Sequence, residues 1–414
     1  MKVLHTSDWH LGARLGRHDR TDDHLDALRG LLAVAEAERP DLILHTGDLF
    51  DISRPTNAAM SVAVQALSRL SAIAPTVVLC GNHDSGGLLE VLHDMAGLAS
   101  PRRLWFVVRP EVLVFADVGG HDVAVACVPF VAPSAIADVA RGDAAAFEGT
   151  YADGIRELNA GLLDEAEAAV GRDGIVLYAA HLHVHGAQPA RSEKRISVGD
   201  DYATHVAGLQ RAMYAAFGHI HDAQLLPGGA VTGRYAGSLI PIDFGEQAQV
   251  KQCVVVDIDR DVVVRAVDLP GGRPLTRVDG SLDDLLRLAA DGGLDGHLLK
   301  ARVLSVDPIV DLVDQVLAAS PGCFVFDLVN VVSSRPVKAV DVDAELGEEP
   351  SLSMLFAEWR DKGANAGQRR APDVAVAALF DAVLEAGGDH EPDLGLVEVV
   401  TGVEVALGVL GGGR

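Results

Sequence analysis

Short apolar runs and helical patterns alternate through the first half of the chain. Runs such as KVLHTSD, LILHTGD and TVVLCGNHD are typical of buried strands. Between them, residues 22–39 and 57–70 carry apolar side chains at the spacing of one helical face. Strand–helix–strand repetition of this kind predicts an α/β layered core. Later runs predict further strands as far as QCVVVDI, and residues 135–168 are predicted to be helical.

The pattern changes after this α/β stretch. LLKARVLSV predicts a strand, CFVFDLVNVV predicts a pair of strands, and residues 282–290 and 309–319 predict helices. We therefore expect an α/β domain at 1–258, a small α+β domain at 259–343, and a helical region with a frayed tail at 344–414.

Composition and charge narrow the class of protein. A 49% hydrophobic content over 414 residues excludes a mainly disordered chain. The formal net charge of −25 excludes a uniformly basic surface that coats nucleic acid, although local basic patches remain compatible with it. The opening residues show no signal-peptide core, and no apolar run is long enough for a membrane span. Four scattered cysteines fit reduced core thiols, so we expect a cytoplasmic protein.

Five polar clusters follow predicted strands, at the position where open α/β sheets bind their ligands. Each cluster alone is common by chance. The set combines carboxylates, one amide and several histidines without a thiolate, which suits octahedral first-row metals such as Mn²⁺ or Fe²⁺. Two such ions can activate water and stabilise the attacking and leaving oxygens of a phosphate ester. The clusters are Asp8-Trp9-His10, Gly47-Asp48-Leu49-Phe50-Asp51, Gly81-Asn82-His83-Asp84, His181, and Gly218-His219-Ile220-His221.

The order DxH…GDxxD…GNHD…H…GHxH resembles the calcineurin-like metallophosphoesterase superfamily, over about the first 250 residues. HTSDWHLG, GDLFD before Arg54-Pro55, and GHIH are most similar to its SbcD family of nuclease subunits. The resemblance implies a four-layer β-sandwich flanked by helices, with a small α+β capping domain that recognises DNA and C-terminal helices. It also implies a metal-dependent deoxyribonuclease, with double-strand exonuclease and single-strand or hairpin endonuclease activity, in DNA repair, recombination and replication.

The family pattern implies a role for each matching residue. His83 would lie by the scissile phosphate and protonate the leaving oxygen or stabilise charge. Asp51 or Asp84 would orient His83 or a ligand histidine, although either could simply cap a helix. Two ions, most simply Mn²⁺, would be bound, with Asp48 bridging them: the first by Asp8, His10, Asp48 and His221, and the second by Asp48, Asn82, His181 and His219.

Other histidines in and around these strands need an assignment too. His183 and His185 follow His181 at the same alternation, so the ligand could be exchanged by a shift in register. We favour His181 because it ends the apolar strand. His5 and His45 lie inside apolar strands and are predicted to be core histidines. Trp9 should point into the packing.

Partner binding is the least constrained part of the sequence. Arginines and lysines on loops near the motifs could line a track for the DNA backbone, or could simply pair with nearby carboxylates. The resemblance implies a homodimer through residues 57–70 and 88–95. It also implies an SbcC-type ATPase bound by the C-terminal helices at 351–362 and 373–386, although their apolar stripe could instead pack against the chain's own domain. The residues concerned are Arg14, Arg17, Arg20, Arg54, Arg191, Lys194 and Arg195 for DNA, and Leu352, Leu355, Phe356 and Trp359 for the ATPase.

Three functions are compatible with these motifs: a DNA nuclease working with an ATPase, a small-molecule phosphodiesterase or phosphatase, and a non-catalytic interaction subunit. The third is disfavoured because every ligand position carries a competent residue. The first two share their chemistry, and only the family-level pattern separates them.

Overall fold

A computed structural model gives the structure of the protein and describes residues 1–136, 150–190, 192–193 and 203–333. The predicted C-terminal helices, with Leu352, Leu355, Phe356 and Trp359, lie outside the described residues, as do Arg191, Lys194 and Arg195. None of the helices in the described part of the chain is both long and apolar enough to cross a membrane.

The strands and helices follow the alternation predicted from the sequence. The strands are β1 (Lys2–Thr6), β2 (Arg14–Leu15), β3 (His18–Asp19), β4 (Leu42–His45), β5 (Thr76–Leu79), β6 (Leu104–Val107), β7 (Glu111–Val118), β8 (His121–Val128), β9 (Ile175–His181), β10 (Tyr214–Gly218), β11 (Gln224–Leu225), β12 (Gly233–Tyr235), β13 (Gln252–Ile258), β14 (Val262–Asp268), β15 (Leu275–Gly280), β16 (Leu298–Ser305) and β17 (Phe324–Val332). The α-helices are α1 (Thr21–Glu38), α2 (Asn57–Ile73), α3 (Gly86–Ala96), α4 (Tyr151–Val170), α5 (Leu282–Ala290) and α6 (Leu312–Ala319).

Two six-stranded sheets form the centre of the main domain, in the orders β14-β13-β1-β4-β5-β6 and β11-β12-β10-β9-β8-β7. Strands β1, β4, β5 and β6 run parallel in the first sheet, and β8, β9, β10 and β12 run parallel in the second. One buried cluster joins the facing sheets, with Val3, Leu44 and Val77 from the first and Val125 and Leu177 from the second.

Helices cover both outer faces of this sandwich. Helices α1, α2 and α3 pack on the first sheet through residues such as Leu31, Leu67 and Leu89. Helix α4 packs on the second sheet through Ile155 and Leu163. The result is helix, sheet, sheet, helix, which confirms the predicted four-layer α/β fold.

A smaller unit follows the second sheet in the chain. Its parallel sheet β15-β16-β17 packs against α5 and α6 around Leu285, Leu299 and Val316. The prediction of two strands in CFVFDLVNVV is wrong: β17 is one strand, paired with β16 from end to end. The run contains no turn sequence, so nothing breaks it. The main sheet extends through β14, past the boundary predicted at 258.

Candidate metal centre

The loops that follow β1 and β4 run side by side and carry the first three candidate ligands. The backbone N–H of Asp8 donates to the Gly47 carbonyl at 3.0 Å, and that of His10 donates to the Asp48 carbonyl at 3.0 Å. These bonds continue the pairing of the parallel strands β1 and β4. Backbone hydrogen bonds therefore fix the positions of Asp8, His10 and Asp48, in addition to side-chain packing. All three residues are buried.

Two glycines allow neighbouring strand ends to approach this closely. A Cβ at Gly81 would lie 2.1 Å from Oδ1 of Asp48, and one at Gly218 would lie 2.1 Å from the Thr46 carbonyl oxygen. Both separations are far below van der Waals contact. The glycine before each of these motifs is thus a steric requirement of the site.

Asp8, His10 and His221 form one group of converging donor atoms, all within 4.8 Å of one another. Nε2 of His10 lies 3.0 Å from Nε2 of His221. The backbone N–H of His219 donates to both carboxylate oxygens of Asp8 at 3.1 Å, which fixes that side chain across the two sheets. Three of the four side chains predicted to hold the first ion therefore lie together.

Asn82, His181 and His219 form a second group beside it. Oδ1 of Asn82 lies 2.9 Å from both Nε2 of His181 and Nδ1 of His219, and those two nitrogens are 3.3 Å apart. Asp48 lies between the groups. Its Oδ2 is 3.6 Å from Nε2 of His10 and 3.4 Å from Nε2 of His181.

The buried carboxylates give this pocket a strong preference for positive charge. Burial opposes a charged ring at His10, but Asp51, Asp48 and Asp8 outweigh it and raise the pKa of His10 to about 9. Burial is likewise outweighed at His181 by Asp48 and Asp8, which raise its pKa to about 9. Burial also opposes a charge on Asp48, yet His181 and His10 hold the pKa of Asp48 well below its usual range.

The donor set fits two divalent ions. Buried carboxylate oxygens and imidazole nitrogens converge here with the amide oxygen of the partly buried Asn82. Buried polar atoms need a partner of opposite polarity, which a divalent ion would supply. Mixed oxygen and imidazole ligands suit ions such as Mn²⁺. Oδ2 of Asp48 lies within 3.6 Å of a nitrogen in each group.

His83 lies against this centre. Its backbone N–H donates to Oδ1 of Asp48 at 2.8 Å, and its Nδ1 donates to the Asp51 carbonyl oxygen at 2.6 Å. The His83 ring meets the His10 ring edge-on, with centroids 4.7 Å apart. His83 is half-buried, whereas the predicted ligands His10 and His181 are fully buried.

Asp51 and Asp84 differ from one another in what they contact. Oδ1 of Asp51 lies 3.5 Å from Nδ1 of His10, the ring nitrogen that does not face His221. The hydrogen bonds of Asp84 go to backbone instead: its carboxylate accepts from the N–H groups of Leu49, Phe50 and Gly81, at 2.9 to 3.1 Å. We expected Asp84 to orient a histidine. Its hydrogen bonds instead tie together two loops that carry candidate ligands.

The remaining histidines and Trp9 occupy the predicted environments. His181 belongs to the cluster, whereas His183 is in none of the metal-binding groups found among the described residues. His5 is buried between the hydroxyls of Tyr214 and Thr46, at 3.0 Å from each. His45 is buried, and Trp9 packs in the core below the first sheet.

The candidate basic track is only partly exposed. Arg14, Arg17 and Arg54 are on the surface, and Arg14 donates to the Arg17 carbonyl at 2.9 Å. Arg20 is wrongly assigned to the track: its side chain is buried, paired with Asp23, and donates to a carbonyl of the main domain. Arg20 stabilises the start of α1 and is not available to a phosphate.

Sequence reasoning missed the residues behind His221. Nδ1 of His221 lies 2.8 Å from Oγ of Ser192 and 3.2 Å from Oε1 of Glu246, and Lys251 binds the other oxygen of Glu246 at 2.6 Å. Glu246 and Lys251 follow no strand-end motif. Both residues are charged and buried, which suggests a specific role, but this burial is known only from the folded structure.

Comparison with known proteins agrees with this geometry. Residues 1–222 match the family model of the calcineurin-like phosphoesterases. Among curated relatives, the SbcD subunit of the SbcCD nuclease of Escherichia coli is 30% identical over 298 residues, covering 68% of this chain and 72% of the relative. The Bacillus subtilis protein of the same name is 27% identical over 284 residues, covering 67% and 72%.

Solved structures show a more distant likeness. The protein TT1561 of Thermus thermophilus is 17% identical, covering 64% of this chain and 98% of its own, with a TM-score of 0.39. A dimetal phosphatase from Danio rerio is 14% identical, covering 65% and 96%, with a TM-score of 0.40.

The chain belongs to the calcineurin-like phosphoesterases, and within them to the SbcD family. It is accordingly a phosphodiester hydrolase with a candidate centre for divalent metal.

Proposed function

We propose that this protein is a DNA nuclease whose centre binds two divalent ions, preferably Mn²⁺. Asp8, His10, Asp48 and His221 would hold one ion, and Asp48, Asn82, His181 and His219 the other. The observation that carries the proposal is the position of Asp48, whose Oδ2 lies 3.6 and 3.4 Å from nitrogens of the two groups. When bound, the ions would supply activated water and charge stabilisation for phosphodiester hydrolysis.

His83 is the proposed catalytic residue of the chain itself. Because the Asp51 carbonyl can only accept, Nδ1 of His83 carries a proton, and Nε2 is the nitrogen that can exchange a proton with the leaving oxygen. The bond from the His83 backbone to Asp48 holds the ring beside the centre. His83 also forms a converging group with His10 and Asp48, and we assign its ring to the leaving oxygen because it is more exposed than either of them. Half-burial leaves the residue within reach of a substrate phosphate.

DNA is the substrate we infer from the SbcD relatives, which are named as nuclease subunits. By the same similarity we propose double-strand exonuclease and single-strand or hairpin endonuclease activity, with an SbcC-type ATPase as partner, in end processing, repair and recombination. The exposed Arg14, Arg17 and Arg54 support contact with the phosphate backbone. Four buried free cysteines support the expected cytoplasmic location.

We also propose a homodimer through the face formed by α2 and α3. An apolar groove of 410 Å³ runs between these helices and β6, lined by residues that include Leu67, Leu92 and Leu104. Beside it, Val64 is 53% exposed and Met95 is 62% exposed. Large exposed apolar side chains around a groove are typical of a protein interface.

The nuclease proposal is tested by incubating the purified protein with Mn²⁺ and end-labelled duplex, hairpin and single-stranded DNA. Bis(p-nitrophenyl) phosphate serves as a small phosphodiester. We expect the wild type to cut DNA, and His83→Ala to lose at least about 100-fold in rate while its Mn²⁺ affinity is unchanged. His121→Ala, at the far end of β8, is the matched control and should keep full activity.

Hydrolysis of the model ester without cutting of any DNA, even with the ATPase present, would replace the nuclease with a small-molecule phosphodiesterase. Full DNA cutting by His83→Ala would contradict the role given to His83.

A further inference from the structure

A buried network of charged and hydroxyl groups lies behind His221, on the side away from the proposed ions. Oε1 of Glu246 is 3.2 Å from Nδ1 of His221, and the hydroxyl of Ser192 bonds to both. Oε2 of Glu246 accepts from Nζ of Lys251 at 2.6 Å. Nζ of Lys251 also donates to Ser238 at 2.8 Å and to the His221 carbonyl at 3.3 Å.

Both charged members are cut off from solvent. The relative exposure of Glu246 is 0%, and that of Lys251 is 4%. Both oxygens of Glu246 are hydrogen-bonded, one to Lys251 and the other to Ser192 and His221. The side chain of Glu246 therefore has little freedom to rearrange.

A carboxylate that accepts a hydrogen bond from one nitrogen of an imidazole determines the tautomer of the ring, and so which nitrogen can bind a metal. The Ser192 hydroxyl donates to Oε1 of Glu246, so Nδ1 of His221 must donate, to Ser192 at 2.8 Å and to Glu246 at 3.2 Å. Nε2 then carries the lone pair that a metal needs, and the ring is held in one orientation. Nε2 of His221 is the atom that lies 3.0 Å from Nε2 of His10 inside the first donor group. The backbone N–H of His221 is also held, by Oε1 of Glu193 at 2.9 Å.

The histidines of the centre differ in the group that lies nearest their Nδ1 atom. Nδ1 of His181 bonds to the backbone carbonyl of Thr46 at 2.8 Å, which is a neutral acceptor. Nδ1 of His10 is 3.5 Å from Asp51, whose side chain is 29% exposed. Only His221, among these three, has a fully buried carboxylate within hydrogen-bond distance of its outer nitrogen.

We propose that Glu246, held in place by Lys251, is the positioning residue that orients His221 and strengthens metal binding by the group Asp8, His10 and His221. This inference rests on the two-metal centre proposed above. It assigns a function to Glu246 and Lys251, which lie outside the motifs that define the site.

The test is a titration of the full chain with Mn²⁺ alone, in which electron paramagnetic resonance measures the free ion and no substrate is present. The wild type should bind two ions. In Glu246→Gln, one of the two should bind about 10- to 100-fold more weakly, and the other should bind as in the wild type. The matched control is Glu38→Gln, which breaks the pair that Glu38 makes with Nζ of Lys2 at 2.7 Å, at the opposite end of β1 from the centre, and it should bind both ions normally.

A second variant separates positioning from stability. Glu246→Gln leaves Lys251 buried without its partner and can unfold the protein. The double variant Glu246→Gln/Lys251→Met removes both charges, and should recover the thermal midpoint of the metal-free wild type but not its Mn²⁺ affinity. Wild-type affinity for both ions in a folded Glu246 variant, or an equal loss in Glu38→Gln, would overturn the inference.

The nuclease proposal fails by a different result. If the wild type binds two ions and the Glu246 variants lose one, but no DNA is cut, the positioning role stands and the substrate assignment does not.

Discussion

Four of the proposed ligands adopt a backbone conformation that side-chain-bearing residues avoid. The φ angles of Asp8, His10, Asp48 and His219 are 49°, 46°, 53° and 97°. Such conformations cost about 1–3 kcal/mol each and persist only where surrounding contacts impose them. Here the hydrogen bonds between the two loops, and from His219 to the Asp8 carboxylate, impose them. The strain turns the donor atoms of both sheets toward one point.

Because His5 is buried in its neutral form, the folding stability of the protein should depend on pH. His5 lies between Tyr214 and Thr46, and burial lowers its pKa to about 3. The unfolded chain, with a His pKa near 6.5, therefore takes up this proton first on acidification. The stabilising contribution of His5 is complete above pH 6.5 and is lost as the pH falls toward 3, with a slope of at most about 1.4 kcal/mol per pH unit.

The pH prediction is tested by urea unfolding of the metal-free protein between pH 7.5 and pH 4. His5→Gln should lower stability at pH 7.5 and flatten the decline on acidification, because one buried proton acceptor is gone. The control is His121→Gln, at the first residue of β8, which should leave the slope unchanged. An equal slope in His5→Gln and wild type would show that His5 does not remain neutral in the folded state.

Candidate ligands that follow strands could be predicted from the sequence. The residues that contact those ligands on the side away from the proposed ions could not. Asp8, Asp48 and His219 each follow an apolar strand, so their common position at one edge of the sheets follows from the sequence. Glu246 reaches His221 across a loop, and nothing in its neighbourhood along the chain marks it. Arg20 shows the reverse error, because burial beside Asp23 depends on how α1 packs.

At the scale of elements, the site depends on how closely the ends of β4 and β5 approach. Asp84 ties these ends by accepting from Leu49, Phe50 and Gly81. Gly81→Ala would place a methyl group 2.1 Å from Oδ1 of Asp48. We expect this variant to lose Mn²⁺ affinity and at least about 100-fold in activity, because Asp48 must move.

The matched control for Gly81→Ala is Gly86→Ala, at the start of α3, where an added Cβ meets no atom within 4 Å. Calorimetry with Mn²⁺ compares the two. Similar affinity in both variants would mean that the loops can separate without disturbing Asp48.

Element type was predictable wherever an apolar pattern was continuous. The helices 282–290 and 57–70 and the strands of the first sheet appear as their periodicity predicts. The sequence predicts two strands where the structure has the single strand β17, which contains neither Gly nor Pro. Its full length became evident only from pairing with β16, which is a contact between distant parts of the chain.

At the scale of the whole molecule, a buried charge cluster joins the main domain to the segment that leads into the small sheet. Arg273, which precedes β15, donates to Asp23 of α1 at 3.0 Å, and Asp23 also pairs with Arg20. An apolar cluster of Leu15, Phe244 and Leu298 adds a second contact between the two parts. The small unit is therefore attached beside the hairpin β2–β3 and the start of α1.

The proposed homodimer predicts that charge on the α2–α3 face separates the subunits. Met95→Glu and Val64→Glu each introduce a carboxylate into the apolar face, so a dimer should dissociate at least about 100-fold more readily. Sedimentation velocity over a concentration series measures this. Val263→Glu, on the exposed edge strand β14, is the control. A wild type that is monomeric at all concentrations, or variants that remain dimeric, would contradict the assignment of this face.

The central claim is that one edge of the sandwich binds two divalent ions that share Asp48. The most direct test is anomalous X-ray scattering from crystals of the full chain grown with Mn²⁺. We predict two peaks, one among Asp8, His10 and His221 and one among Asn82, His181 and His219, with the Asp48 carboxylate bound to both. A single peak, or two peaks without Asp48 between them, would contradict the account.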